Sequence, residues 1–181
     1  MPRDIVIPAS SEMYDARTNT FFSTKETTIT IEHSLLSISK WESKWHKPFL
    51  GKDPKTNEQV IDYIRCMTIN KVDPKIFYSL TQQNIADVTE YIDNPMTATW
   101  FKEDPNQTPS REVVTSELIY YWMIAAGIPF ECEKWHLNRL ITLIRVFNEK
   151  NKPKKNGVTS KDLASRRALN NARRKALHTT G

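Results

Sequence analysis

The residues with the most obvious chemistry are a cysteine and a histidine in the segment IPFECEKWHLNRLITLIRVFN, residues 128–148. Cys132 and His136 are four residues apart, and a helix would place both on one face, a spacing that metal sites use. Two ligands are too few for a tetrahedral site, and no other Cys or His cluster lies nearby. A Cys–His catalytic pair cannot be recognised from spacing, because such partners meet through the fold. We therefore expect a buried thiol beside an imidazole, both with structural roles.

The sequence carries none of the common motifs of phosphate binding or hydrolysis. It has no G-x-S-x-G, no H-E-x-x-H and no glycine-rich phosphate loop, and its 4 glycines leave little material for one. Its cysteines, Cys66 and Cys132, are far apart without C-x-x-C spacing, which is typical of a reducing compartment. We predict a protein that is not an enzyme and that needs no metal and no cofactor.

Tryptophan and arginine are the next candidates, because these residue types contribute much of the binding energy in protein interfaces. Trp41 and Trp45 share one face of a predicted helix, and Trp135 and Arg139 stand one turn apart in the segment quoted above. Each tryptophan can equally belong to the core, and Arg139 can pair with a glutamate of the same domain. These four residues are candidate protein-binding residues, with both interpretations open.

The charge distribution separates the C-terminus from the rest of the chain. Residues 150–175 carry ten basic side chains and one acid, whereas the first 149 residues carry more acids than bases. Arg166, Arg167, Arg173 and Arg174 lie in this basic tail and are candidate contacts for an acidic protein surface or for nucleic-acid phosphates. The tail has no aromatic residue for base stacking, and a solubilising appendage is the third interpretation.

Two short runs rich in β-branched residues precede the helical part of the chain. They are IVIP at residues 5–8 and TTITIEH at residues 27–33, and the polar segment YDARTNT between them can close a hairpin. Two strands alone are marginally stable, so the hairpin should pack on the helical body or add to a neighbouring subunit. Residues 1–33 are therefore predicted to form an N-terminal β-hairpin arm.

From residue 34 onward the apolar residues recur at helical intervals. Thr56, Asp73 and Thr81 stand where helix N-caps are expected. The segment REVVTSELIYYWMIAAG, residues 111–127, is apolar on nearly every side, which predicts a central helix, and the turn GIPFE joins it to a helix from about residue 133. We predict a mainly α fold, with a helical body over residues 34–148 built on a central αα-hairpin, and a basic linker and C-terminal helix over residues 149–181.

The sequence also lacks the patterns of export and membrane insertion. No apolar stretch reaches the length of about 18 residues that a membrane span needs. The N-terminal segment MPRDIVIPASSEMYD lacks the basic and then apolar regions of a signal peptide. We expect no membrane partner, and a protein that stays in the cytoplasm where it is made.

Five segments, spread from about residue 27 to the end of the chain, together carry a family resemblance. They are ITIEHSLLSISKWESKWHKPFL, YIRCMTINKVDP, PMTATWF, TSELIYYWMIAAGIPFECEKWHLNRLITLIRVFNEKNKP and SRRALNNARRKALHTTG. These segments resemble a family of bacteriophage proteins encoded in the tail gene cluster, the tail assembly chaperones.

The resemblance implies a protein that binds the tape-measure protein or tail-tube subunits in the host cytoplasm during virion morphogenesis, without turnover or cofactor. It also implies that Trp41, Trp45, Trp135 and the helix from Arg166 to Lys175 form contact surfaces. The alternative is a structural virion protein of the phage head, neck or tail that associates with copies of itself. A nucleic-acid-binding protein that uses its basic tail is the third hypothesis.

Overall fold

The computed structural model describes residues 1–15, 19–101, 112–152 and 160–177. Its strands are β1 (Arg3–Ile7), β2 (Ser10–Asp15), β3 (Thr20–Thr24) and β4 (Thr27–Ile31). Its α-helices are α1 (Leu35–Trp45), α2 (Asn57–Met67), α3 (Gln82–Asp93), α4 (Ser116–Ala125), α5 (Leu137–Asn151) and α6 (Ser160–Ala176). Short 3-10 helices cover Pro74–Ser79 and Phe130–Lys134.

The sheet formed by β1 and β4 is part of the core. The two strands pair antiparallel, as the β-branched runs predict, with Ile5 opposite Ile29. Side chains alternate along each strand, so one face of the pair turns its isoleucines inward, namely Ile5, Ile7, Ile29 and Ile31. α3 packs against β1. These strands therefore belong to the body and do not form a separate N-terminal arm.

A second sheet lies between the two predicted strands, on either side of the segment YDARTNT. β2 and β3 pair antiparallel, with Met13 opposite Phe22, and their connection falls partly outside the described residues. The prediction of a mainly α fold is therefore wrong, because the described chain combines its helices with two antiparallel two-stranded sheets. The sequence does not reveal the second sheet because residues 10–15 are mostly polar and lack the β-branched run that marks a buried strand.

Helix starts follow the local capping rules. Thr56 and Thr81 each accept a hydrogen bond from the backbone N–H three residues on, and the side chain at that residue bonds back to the cap. Ser34 caps α1 in the same way. Asp73 caps the segment from Pro74, which is a 3-10 helix with its proline in the first turn. The predicted N-caps at Thr56, Asp73 and Thr81 are confirmed.

The prediction of a central αα-hairpin is wrong. α4 begins at Ser116, capped by Thr115, and Arg111, where the predicted helical segment begins, lies outside the described residues. After Pro129 the chain forms the 3-10 helix of residues 130–134, so α5 begins only at Leu137. α4 packs on α1. Because α4 meets its neighbours along one side, it is not surrounded by other helices.

Glu42 of α1 joins three parts of the body through its buried carboxylate. Its Oε1 accepts the backbone N–H of Phe49 at 2.7 Å. Its Oε2 accepts both the backbone N–H of Ser116 at 2.7 Å and the Ser116 hydroxyl at 2.5 Å. Ser116 is the first residue of α4, so the carboxylate also faces the positive end of that helix dipole. Glu42 thus fixes the turn after α1 and the start of α4.

The chain divides into two compact units, residues 1–149 and residues 150–181. The first unit contains the hydrophobic core. The second contains α6, whose side chains from Leu163 to Leu177 are exposed. Across the described ranges, no helix combines the length and the apolar character needed to cross a bilayer.

We predict that Glu42→Ala lowers the free energy of unfolding by about 3 kcal/mol, because buried donors lose a charged acceptor. Glu26→Ala, at an exposed position between β3 and β4, is the control and should change this free energy by less than about 0.5 kcal/mol. Urea denaturation followed by tryptophan fluorescence measures both variants. A loss below about 1 kcal/mol for Glu42→Ala would show that the carboxylate does not hold these elements together.

Candidate protein-interaction surfaces

Cys132 and His136 are buried on different elements and do not share a helix face. Cys132 lies in the 3-10 helix of residues 130–134, and burial raises the pKa of its thiol, which stays protonated at neutral pH. His136 precedes α5, where its Nδ1 accepts the backbone N–H of Asn138 at 3.3 Å and its Nε2 is 3.1 Å from the Tyr91 carbonyl oxygen. The ring is therefore a neutral tautomer with its proton on Nε2. The described residues contain no group of three or more His, Cys, Asp or Glu side chains able to hold a metal.

His136 instead belongs to a buried polar cluster. The ring centroids of His33 and His136 are 5.0 Å apart, and His33 Nδ1 is 2.6 Å from the Tyr63 hydroxyl. Burial, and then the neighbouring His136, lower the pKa of His33 to about 3, and burial lowers the pKa of His136 as well. Both imidazoles are neutral near pH 7. The cluster has a structural role, because His33 bonds to Tyr63 of α2 and His136 bonds to Tyr91 of α3.

The two tryptophans of α1 point into the body. Trp41 is 1% exposed, and its indole N–H donates to the backbone carbonyl of Gln59 at 2.9 Å. Trp45 is half-buried, and its indole N–H donates to the Asp62 carboxylate at 2.9 Å. Trp41 is therefore a core residue that a partner cannot reach, and the contact role proposed for it does not fit its position. Trp45 keeps part of its ring at the surface.

Trp135 and Arg139 form one feature on the surface of the body. The Arg139 guanidinium lies 4.2 Å from the ring centroid of the half-buried Trp135, in a cation–π arrangement. Arg139 itself is exposed. The two residues are four positions apart in the sequence, and their role in binding stays a prediction.

A cleft of about 640 Å³ lies between the β2–β3 sheet and the helices α1 and α2. Its lining combines aromatic and charged side chains, including Tyr14, Phe22, Tyr78, Lys44, Asp62 and Arg65. Lys44 is ion-paired with Asp62, and an Arg65 nitrogen is 3.8 Å from the same carboxylate. This volume would suit a small molecule, but Asp62 already pairs with both cations. Sequence reasoning does not find the cleft because one wall is the unpredicted β2–β3 sheet.

An apolar patch lies on the exposed side of α4. The exposed fractions of Tyr121, Ile124 and Phe130 are 64%, 63% and 56%. The Tyr120 ring centroid is 6.2 Å from that of Phe130, and the Tyr120 hydroxyl donates to Glu133 at 2.7 Å. Ile124 is four residues from Tyr120 and three from Tyr121, so its side chain lies on the same side of the helix as both. We name Tyr120, Tyr121, Ile124 and Phe130 the α4 patch.

The apolar residues on nearly every side of the segment 111–127, which predicted a central position for α4, explain this patch. Core packing uses only one side of the helix, where Ser116, Ile119 and Met123 are buried. Tyr120 and Trp122 are half-buried against the core, and Tyr121 and Ile124 face solvent. Contiguous exposed apolar surface of this kind is a mark of binding sites in proteins.

The four candidate arginines of the tail lie together on one side of α6. Arg166 and Arg167 are separated by seven residues, or two helical turns, from Arg173 and Arg174. All four side chains are exposed. They form a basic face about 10 Å long. Whether this face binds protein or nucleic acid stays a prediction at this point.

Comparison with known proteins finds no family model, no curated protein and no solved structure that matches this chain. The bacteriophage interpretation therefore depends on the sequence segments alone, and the choice of contact surfaces depends on the geometry described above.

We predict that the free energy of unfolding falls as the pH drops from about 6.5 toward about 4, because His33 stays neutral in the folded state while the unfolded chain protonates it. The lowered pKa of His136 acts in the same direction. The slope from His33 should reach roughly 1.4 kcal/mol per pH unit. Urea denaturation at a series of pH values measures it. His33→Phe should flatten the slope, and His46→Gln, at an exposed histidine, should leave it unchanged. An unchanged slope in His33→Phe would contradict the assignment of the pH dependence to His33.

Proposed function

We propose that this chain is a bacteriophage tail assembly factor that binds other proteins during virion morphogenesis, with the α4 patch as its main contact surface. The observation that supports a binding role is the exposure of Tyr121, Ile124 and Phe130 on and beside one helix, α4, whose other side packs into the core. The phage assignment follows from the resemblance of the sequence segments to tail assembly chaperones.

The energetics of the α4 patch suit reversible holding of a client protein. Burying one large apolar side chain against a partner contributes roughly 1.5 to 3 kcal/mol. A few such residues, after the cost of association, give affinities in the micromolar range. The tape-measure protein or a tail-tube subunit is the proposed client, and binding would cover its apolar segments before assembly. The binding role requires no turnover and no cofactor.

A structural protein of the phage head, neck or tail would use the same kind of surface permanently. Mass spectrometry of purified particles separates the two roles. An assembly factor should be missing from the particles, whereas a virion component should be present in many copies.

We predict that co-expression with the tape-measure protein of the same phage raises the soluble fraction of that protein several-fold. Ile124→Gln in this chain should remove most of the effect, because it takes an exposed apolar anchor from the α4 patch while keeping a good helix-forming residue. The soluble and insoluble fractions are quantified by gel densitometry.

Ile69→Gln is the matched control, because Ile69 is an isoleucine of nearly equal exposure, 61%, outside the α4 patch. This variant should act like the wild-type chain. If the tape-measure protein is equally soluble with and without this chain, the chaperone role is wrong. If both isoleucine variants lose the effect equally, binding does not depend on the α4 patch.

A further inference from the structure

α6 presents arginines and leucines on the same side. Leu163 and Leu177 are fourteen residues apart and flank the two arginine pairs on one helix face, and both leucines are exposed. The opposite side is mostly alanine. A helix with so little apolar surface is marginal in water without a partner. A surface that stabilises α6 must therefore accept its leucines and neutralise its arginines.

The α4 patch has both properties. Three of its four apolar side chains, Tyr121, Ile124 and Phe130, are exposed, and carboxylates lie beside them. Glu117 lies one turn before Tyr121 on the same side of α4, Glu131 follows Phe130, and Glu133 accepts the Tyr120 hydroxyl. Lys134 is the single cation of the 3-10 helix that carries two of these acids. The rim of the patch is therefore acidic.

The positions of the charges and leucines also correspond. Glu133 accepts the Tyr120 hydroxyl at 2.7 Å, and Glu117 is three residues before Tyr120 on α4, so two acids lie at the Tyr120 side of the patch. On α6, Leu163 is three residues before Arg166 and Leu177 is three residues after Arg174. An arginine pair can thus lie against these acids while the leucine next to it contacts the apolar side chains of the patch.

We propose that α6 of one copy binds the α4 patch of a second copy. The inference rests on the proposed function in so far as the α4 patch is taken to bind protein. The contact joins different surfaces of the two copies, so it is heterologous and links chains into a ring or an open array. The interface is small and charged, so association should be weak, on the order of 10 µM, and should weaken with salt.

Charge reversal on the full chain tests this contact. Analytical ultracentrifugation over a concentration series should show association of the wild-type chain at low salt. The α6 variant R173E/R174E and the rim variant E117R/E131R should each sediment as single chains of about 21.1 kDa. An equimolar mixture of the two variants should associate again, because each reversed helix then meets a surface of opposite charge.

The control is Glu26→Arg, which reverses an exposed charge away from the α4 patch and should associate like the wild type. Circular dichroism checks that each variant folds, and if a reversal variant does not, R173Q/R174Q replaces it and should weaken association at least severalfold. A wild-type chain that stays monomeric at every concentration overturns the proposal. So does association that survives the α6 reversal, or a mixture that fails to associate.

Two other binding partners for α6 would give different results. Docking of α6 within its own chain would leave the mass at one chain throughout while the reversals change tryptophan fluorescence. A nucleic-acid partner would show as salt-dependent binding of duplex DNA that R173E/R174E abolishes, with no association of the protein itself. Either result overturns the proposal. If self-association fails while Ile124→Gln still abolishes solubilisation of the tape-measure protein, this inference is wrong and the proposed function stands.

Discussion

The junction between β4 and α1 is the constraint on which the body depends. Within two residues of the chain, the backbone N–H of Glu32 donates to Met67 at 2.9 Å, and the carbonyl of His33 accepts the backbone N–H of Leu137 at 2.7 Å. The first bond ties the sheet to the end of α2, and the second ties it to the start of α5. Buried backbone groups are costly to leave unpaired, so these elements are held in register at one place.

Side chains at the same junction extend these connections. His33 reaches the Tyr63 hydroxyl on α2, and Glu32 accepts the Tyr91 hydroxyl of α3 at 2.7 Å. Among the described residues, no buried side-chain nitrogen or oxygen is left without a partner. A polar cluster that is satisfied in this way specifies one arrangement of the surrounding elements. His136, whose spacing from Cys132 is one that metal sites use, is a member of this cluster and is buried within it.

The surfaces proposed for binding are the parts of the chain that do not contribute to this junction. α4 is held at its start by Glu42 and packs on α1 through one side. Its other side therefore stays apolar and accessible. The basic face of α6 and the Trp135–Arg139 pair are further surfaces that no core contact requires. A rigid centre with accessible apolar surface outside it is consistent with the proposed binding role.

Local rules determined much of the fold from the sequence. The N-caps at Thr56 and Thr81 depend on hydrogen bonds over three residues, and the arginines of α6 align because the helix repeat is fixed. Local rules could not predict the β2–β3 sheet and its cleft, because the pairing of polar strands depends on contacts with distant parts of the chain. The sequence shows which side chains are apolar enough to be buried. Only the tertiary structure decided that Trp41 is inside and Ile124 outside, because a helix buries the side that meets its neighbour and leaves the opposite side to solvent.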